Sequence, residues 1–403
     1  MNDETSNMRI AWSGQHTHGK ALPILLKALK LVLDRGGLNN AISLEVLGVG
    51  AMTASWKSLA NKLGVGDLIT WHGWVAKDVA ESVVAESDIF VITSLRDLTS
   101  AVLMEAIGRG KPVVCIDHCG FATAIDETCG IKVPVGSADS VVLGFADAIV
   151  RLMDTEYRSR LSQGALVRAE KYRWNNNQKA LMGVLDAKGK KVLVSSYACS
   201  PYRGSEPGMG WHYLQALAED NEVWAIVEQE KWQKDIERYC AEHNDAMSRV
   251  HWIFIHKPRV RWLRKIWPPS YYWFYRIWQW RVYKTAEQLN NEEKFDIIYQ
   301  LTMTGFREPG YLWRLDAPFA WGPIGGLGYT DWRLLPLAGF AGCCEFAVRN
   351  IINWFHCHFL IRPRLAAKRA AGCGMFMTAT GEIAQEAKKL WGVESYVICE
   401  NGV

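Results

Sequence analysis

Two carboxylates and one lysine stand at positions suited to handling a charged leaving group. Asp97 and Glu105 lie eight positions apart in the stretch 94–114, SLRDLTSAVLMEAIGRGKPVV. Lys20 closes a separate glycine-containing loop, SGQHTHGK. A lysine ammonium is a compact point charge that pairs with phosphate oxygens. Asp97 falls in a loop and Glu105 on the helix that follows. One carboxylate is therefore placed beside an anion at the helix head, and the other within reach of a pair of sugar hydroxyls. The backbone N–H groups of Leu98, Thr99 and Ser100 precede that helix, where such groups lack intrahelical partners and can face a phosphate.

The elements that hold these residues read as an open α/β sheet. Residues 88–93 form an apolar run of buried-strand type, 96–100 a short polar loop, and 101–108 a helix stopped by Gly108 and Gly110. Residues 111–116 form a second buried strand. Strand, loop, helix, strand puts the loop at the carboxyl edge of a parallel sheet, where such folds bind ligands. Residues 8–12 are a further short strand. They lead through the Lys20 loop into a helix over 21–33. Gly14-x4-Gly19-Lys20 nearly spells a phosphate-binding P-loop, but that motif needs Ser or Thr next to hold Mg²⁺, and position 21 is Ala. Strands over 44–50 and 69–75, a helix over 77–87, and helices over 140–153 and 157–185 complete the first half.

A polar junction at 186–191 opens a second α/β region. Its first loop, SPYRGSEPGMG over 200–210, places Gly204, Ser205 and Glu206 ahead of a helix. Amides there can face a phosphate or an acceptor, although a sharp turn accounts for the glycines equally well. Residues 251–284 hold eight Lys or Arg, twelve aromatics and no Asp or Glu. This excess leaves the rest of the chain net acidic. Basic and aromatic interleaving suits the headgroup zone of an anionic membrane, a sugar-stacking surface, or an aromatic core with Arg at its rim.

Bulk properties narrow the classes. The 403 residues suffice for two or three domains, and 49% hydrophobic with 22% charged is ordinary for a globular chain. A net charge of +4 gives no argument for nucleic acid, and none is expected as a partner. Ten Cys with no CxxC pair read as reduced thiols rather than a disulfide framework or zinc site. The polar start, MNDETSNMRIAW, reads as no signal peptide, and Glu345, Arg349 and Asn350 break the longest apolar run below membrane-spanning length. A cytoplasmic protein is expected, with peripheral contact on the inner membrane face through 251–284.

Asp97-x7-Glu105 followed by AIGRGKPVV resembles the E-x7-E signature of retaining GT-B glycosyltransferases, family 4, with Asp in place of the first Glu. The resemblance implies two Rossmann-like domains facing a cleft. Its further implications are a nucleotide-sugar donor, a UDP-sugar with GDP- and ADP-sugars as alternatives, and a glycan or lipid-linked glycan acceptor. It implies no cofactor and no obligatory metal. By the same resemblance Lys20 neutralises the donor diphosphate, Glu105 binds the ribose and Asp97 contacts the donor sugar. Gly14 stands where the family often carries an Arg, and Trp74 and Val75 follow the His-Gly that lies against the nucleobase. Gly204, Ser205 and Glu206 correspond to the glycine-rich first loop of the acceptor domain. The family places its acceptor domain first, whereas here the nucleotide-type half (1–186) precedes the acceptor-type half (187–403). The chain ends on Glu-Asn-Gly-Val, similar to the turn that leads into the family's interdomain linker. A circular permutation is therefore expected. A GT-B-fold nucleotide-sugar epimerase, a P-loop-like nucleotidase and a non-catalytic membrane scaffold are the competing readings.

Overall fold

A strand buried on both faces of a parallel sheet reads as an unbroken apolar run. Ile89–Ile92 and Val113–Ile116 are such runs, and all eight of their residues are buried. They belong to a computed structural model that describes residues 7–36, 41–243, 247–258, 260–267 and 270–403. The chain divides into two compact units: Met1–Arg173 with Tyr329–Asn353 and Val403, and Trp174–Gly328 with Trp354–Gly402. Each is an α/β structure built on one parallel sheet.

The first unit runs β1 (Met8–Ser13), α1 (Pro23–Asp34), β2 (Ile42–Leu47), α2 (Thr53–Leu63), β3 (Ile69–Gly73), α3 (Lys77–Glu86), β4 (Ile89–Ile92), α4 (Ala101–Gly108), β5 (Val113–Ile116), α5 (Cys119–Ala124), β6 (Gly130–Val133), α6 (Ala138–Arg151) and α7 (Thr155–Glu170). Its strand order is β3-β2-β1-β4-β5-β6. Winding reverses between β1 and β4, where Ile10 pairs with Ile89 and Ala11 with Phe90. In open α/β sheets a reversal of this kind marks the carboxyl edge at which ligands bind.

The second unit runs α8 (Trp174–Leu185), β7 (Lys191–Ser195), α9 (Ser205–Asp220), β8 (Glu222–Glu228), α10 (Gln229–Glu242), β9 (Val250–Ile255), α11 (Arg261–Ile266), α12 (Ser270–Glu293), β10 (Ile297–Gln300) and β11 (Phe319–Ile324). After α13 (Gly339–Phe359), whose first part clusters with the first unit, come α14 (Ile361–Gly372), β12 (Phe376–Thr378), α15 (Gly381–Trp391) and β13 (Tyr396–Val397). The order β13-β12-β11-β10-β7-β8-β9 repeats the same plan, with its reversal between β7 and β10.

Three expectations need correction. The unit boundary falls after Arg173 rather than at 186. The helix expected over 157–185 is two helices, because the chain turns at 171–173 and α8 buries Leu181 and Leu185 in the second unit's core. Gln178 Nε2 also donates to His212 O at 2.7 Å there. Second, Tyr329–Asn353 returns to the first unit, and Leu334, Leu335 and Phe346 join its hydrophobic core. Third, the helical run Trp332–Phe359 is long and apolar enough to cross a membrane by length and composition. Its packing is that of a core element on one side: Asn350 is buried and exchanges hydrogen bonds with both backbone groups of Thr330. The Glu345–Arg349 ion pair occupies its outer side.

Candidate active site

The β1–α1 loop is shaped by what it must approach. Gly14 N–H donates to Leu47 O at the end of β2. A Cβ on Gly48 would lie 2.1 Å from Gly14 O, and φ at Gly48 is +107°. Only glycine lets the β2–α2 loop come this close. The loop ends in a single 3₁₀ turn, His18–Lys20, and Ala21 follows in the left-handed region at φ 45°. This reversal turns the chain into α1 at Pro23 and leaves the Lys20 side chain at the carboxyl edge, its stem beside Gly14.

The β4–α4 loop is tied to it. Thr93 Oγ1 accepts from Trp12 Nε1 at 2.9 Å and donates to Lys20 O at 2.6 Å, while Leu95 N–H donates to Gly19 O at 2.9 Å. Sequence reasoning missed Thr93. Its signal is a hydroxyl ending an otherwise apolar strand, where a buried oxygen needs partners. These bonds carry Asp97 to Lys20, and Nζ lies 2.5 Å from Oδ2. The other carboxylate oxygen accepts from Leu98 N–H at 3.0 Å. The Leu98 amide expected to be open to a phosphate is thus occupied by the chain's own carboxylate. Thr99 and Ser100 are buried, Ser100 at φ 62°, and α5 packs so closely that a Cβ on Gly120 would meet Leu98 O at 2.2 Å.

Glu105 is half-buried on α4. Desolvation raises its carboxyl above the ordinary range, and Glu81 adds to this against the pull of Lys77 and Arg109. Arg109 Nη1 donates to Glu105 O and Nη2 pairs with Glu81 at 2.8 Å, so α4 is anchored to α3. Glu105 thereby shares its surroundings with Lys77, at the start of α3. Trp74 and Val75 lie in the turn just before; Trp74 is 80% exposed and Val75 half-buried. The structure brings Gly14, Lys20, Asp97 and Leu98 together, and sets Glu105 among the charges of Lys77, Glu81 and Arg109.

Gly204, Ser205 and Glu206 belong to the second unit, at the head of α9. Gly204 has open space where a Cβ would stand, and Ser205 takes φ 57°. Glu206 Oε1 accepts from Thr304 N–H at 2.9 Å, and Ala198 N–H donates to Thr302 Oγ1 at 3.1 Å. The loops after β7 and β10 are thus linked across the second reversal, as Lys20 and Asp97 link those after β1 and β4. Burial raises the Glu206 carboxyl, and the Thr304 and Met303 amides oppose it. Sequence reasoning also passed over Lys257, which is buried with its ammonium 3.8 Å from the Tyr271 ring and 5.2 Å from the Tyr197 ring. His356 Nδ1 accepts from Arg307 Nε at 2.7 Å, and His358 Nδ1 bonds Trp354 O.

With this geometry in place, comparison with known proteins finds likenesses that fall in the first unit. Residues 7–155 match the Glycosyl transferases group 1 family. That span of the group 1 match runs from β1 through α6 and contains Lys20, Trp74, Asp97 and Glu105. An uncharacterized glycosyltransferase of Methanocaldococcus jannaschii is 30% identical over 177 residues, 43% of this chain and 44% of that protein. A D-inositol 3-phosphate glycosyltransferase of Saccharomonospora viridis is 27% identical over 183 residues, 43% of this chain and 42% of that protein. Among solved structures, WaaG, a glycosyltransferase involved in lipopolysaccharide biosynthesis, aligns at 21% identity and a TM-score of 0.35, over 41% of this chain and 43% of that one. The chain spans less than half the length of the curated relatives it matches.

Proposed function

We propose that the chain is a retaining GT-B glycosyltransferase of family 4 that moves a sugar from a UDP-sugar to a glycan or lipid-linked glycan. The observation that carries this reading is the Lys20–Asp97 pair, held across the β1/β4 reversal inside the segment that matches the group 1 family. The chemical task is to stabilise the nucleoside diphosphate as the glycosidic bond breaks. Lys20 and the head of α4 put positive potential where that charge develops, which lowers the barrier more than it tightens substrate binding. Asp97 exchanges its hold on Lys20 for the donor sugar. Glu105 accepts from the ribose hydroxyls, and Trp74 with Val75 lies against the base. No resident metal enters this scheme, since Lys20 and the helix dipole meet the diphosphate charge.

We read the order of the two units as a circular permutation of the acceptor-first order, and the second unit as the acceptor side, with Glu206 at its reversal. The aromatic and basic segment 251–284 then meets an anionic membrane at the cytoplasmic face, where a lipid-linked acceptor is presented. A Mg²⁺-dependent nucleotidase is disfavoured by Ala21, which has no hydroxyl and is itself buried.

A thermal-shift panel of UDP-, GDP- and ADP-sugars and of ATP with Mg²⁺ tests the proposal. A UDP-sugar should raise the melting temperature of the wild type but not of Glu105→Ala. Stabilisation by ATP with Mg²⁺ alone, or conversion of a UDP-sugar to its epimer without acceptor, would overturn it.

A further inference from the structure

We infer that the second unit carries a docking face for an anionic lipid bilayer, built from α14 and the end of α13 rather than from α12 alone. This deepens the membrane reading above and rests on it. On α14, Ile361, Arg364, Leu365 and Lys368 follow i, i+3, i+4, i+7 spacing and all are exposed, while Pro363, Ala366, Ala367 and Ala370 are buried. Residues at that spacing share one face of a helix. The inner face is thus filled by small side chains, and the outer face combines aliphatic and cationic ones. Arg364 and Lys368 make no ion pair among the described residues.

At the end of the preceding helix Phe355 (52% exposed) and Phe359 (65%) are also open to solvent, and Ile361 is 71% exposed. The face continues onto α12 through Tyr311. The Arg362 guanidinium sits 4.5 Å over the Tyr311 ring, and the Trp280 ring packs edge-on against it at 5.4 Å. Trp273 and Trp280 of α12 are both about half exposed.

Charge selects the occupant. Residues 251–284 and 346–381 together hold 13 of the 46 Lys and Arg and none of the 42 Asp and Glu. The remainder of the chain is therefore net acidic. Several of these cations are spent on the chain's own acids, Arg276 on the buried Glu308, Lys284 on Glu287 and Arg349 on Glu345, and Lys257 is buried, which leaves Arg364 and Lys368 as the exposed charges of this face. Large apolar side chains interleaved with the exposed Arg364 and Lys368 match a surface with phosphates outside and acyl chains beneath. A protein partner would satisfy either property, but nothing in an ordinary protein surface demands both over so wide a stripe.

Flotation of the full chain with phosphatidylcholine vesicles, with and without phosphatidylglycerol, tests this. Wild type should float with the anionic vesicles and be released by salt. Arg364→Glu with Lys368→Glu should weaken binding at least about tenfold, and Phe359→Ser with Ile361→Ser should abolish it, each with an unchanged circular dichroism spectrum. Equal binding of wild type to neutral vesicles, no binding to either, or undiminished binding of both variants would overturn the inference. So would a wild-type dimer in sedimentation velocity that both variants dissolve, because the face would then belong to a second copy. The UDP-sugar thermal shift reads the first unit, so its retention in a chain that fails to float separates failure of this inference from failure of the proposed activity.

Discussion

Lys20 Nζ and Asp97 Oδ2 are 2.5 Å apart although 77 residues separate them in sequence. The carboxylate also accepts from Leu98 N–H. On the proposed function, Asp97 holds the position that a phosphate oxygen would take at this edge, and a donor has to displace it. Both side chains remain about a quarter exposed, so the pair adds no more than about 1 kcal/mol to stability. Lys20→Ala should lower the transfer rate by about 10²-fold or more with the melting temperature nearly unchanged. Initial rates at saturating donor, set beside a thermal melt, check this. A rate within threefold of wild type, about 0.7 kcal/mol in barrier, would remove Lys20 from the chemistry.

Glu105 gives a pH-dependent signature. Burial raises its carboxyl above 4.5, so the folded chain binds this proton more tightly than the unfolded one. Its contribution to stability is therefore full below the ordinary carboxylate value and declines as pH rises through the raised folded value. Glu105→Gln removes the charge that has to be buried. The variant should melt above wild type near neutral pH, with the difference shrinking as pH falls below about 4.5. The same variant should lose the UDP-sugar shift. Melting curves across pH separate the two effects.

Ala21 sits at φ 45°, a conformation that costs an L-residue about 1–2 kcal/mol relative to glycine. Ala21→Gly should stabilise the chain by about 1 kcal/mol, less any gain in unfolded-state entropy. Chemical denaturation measures it. A destabilised variant would mean that the buried Ala21 methyl is worth more than the backbone strain.

Gly48→Ala acts in the opposite sense. Its new Cβ would fall 2.1 Å from Gly14 O at a backbone φ of +107°. The β2–α2 loop would have to retreat from the Lys20 loop, at a cost of about 2–4 kcal/mol. The rate should fall as well, because Gly14 lines the Lys20 stem. Gly64→Ala is the control: it also has positive φ but open space around its Cβ, and it should cost less and leave activity unchanged.

Local order was legible because it has local causes. The buried runs at 89–92 and 113–116 announce parallel strands, and Gly108, Gly110 and the Asp97 loop punctuate them. The spacing of Asp97 and Glu105, and Lys20 after its loop, located the candidate site. The helix expected over 77–87 is present as Lys77–Glu86. The break at 171–173 was not read as one, because YRWNNN at 172–177 holds neither Gly nor Pro to mark a stop, although its three Asn are weak helix formers. Only docking of Leu181 and Leu185 into the second core decides that α8 leaves its neighbour.

The sequence by itself determined two α/β units, their strand order in time, and which side chains have the chemistry for a phosphate and a sugar. Tertiary structure alone decided that Lys20 meets Asp97, that Thr93 locks their two loops together, and that 329–353 completes the first core from far along the chain. Periodicity reports only which face of an element is apolar. Which strand lies beside which, and so which loops share an edge, depends on burial summed over the whole sheet, and no local pattern encodes that sum.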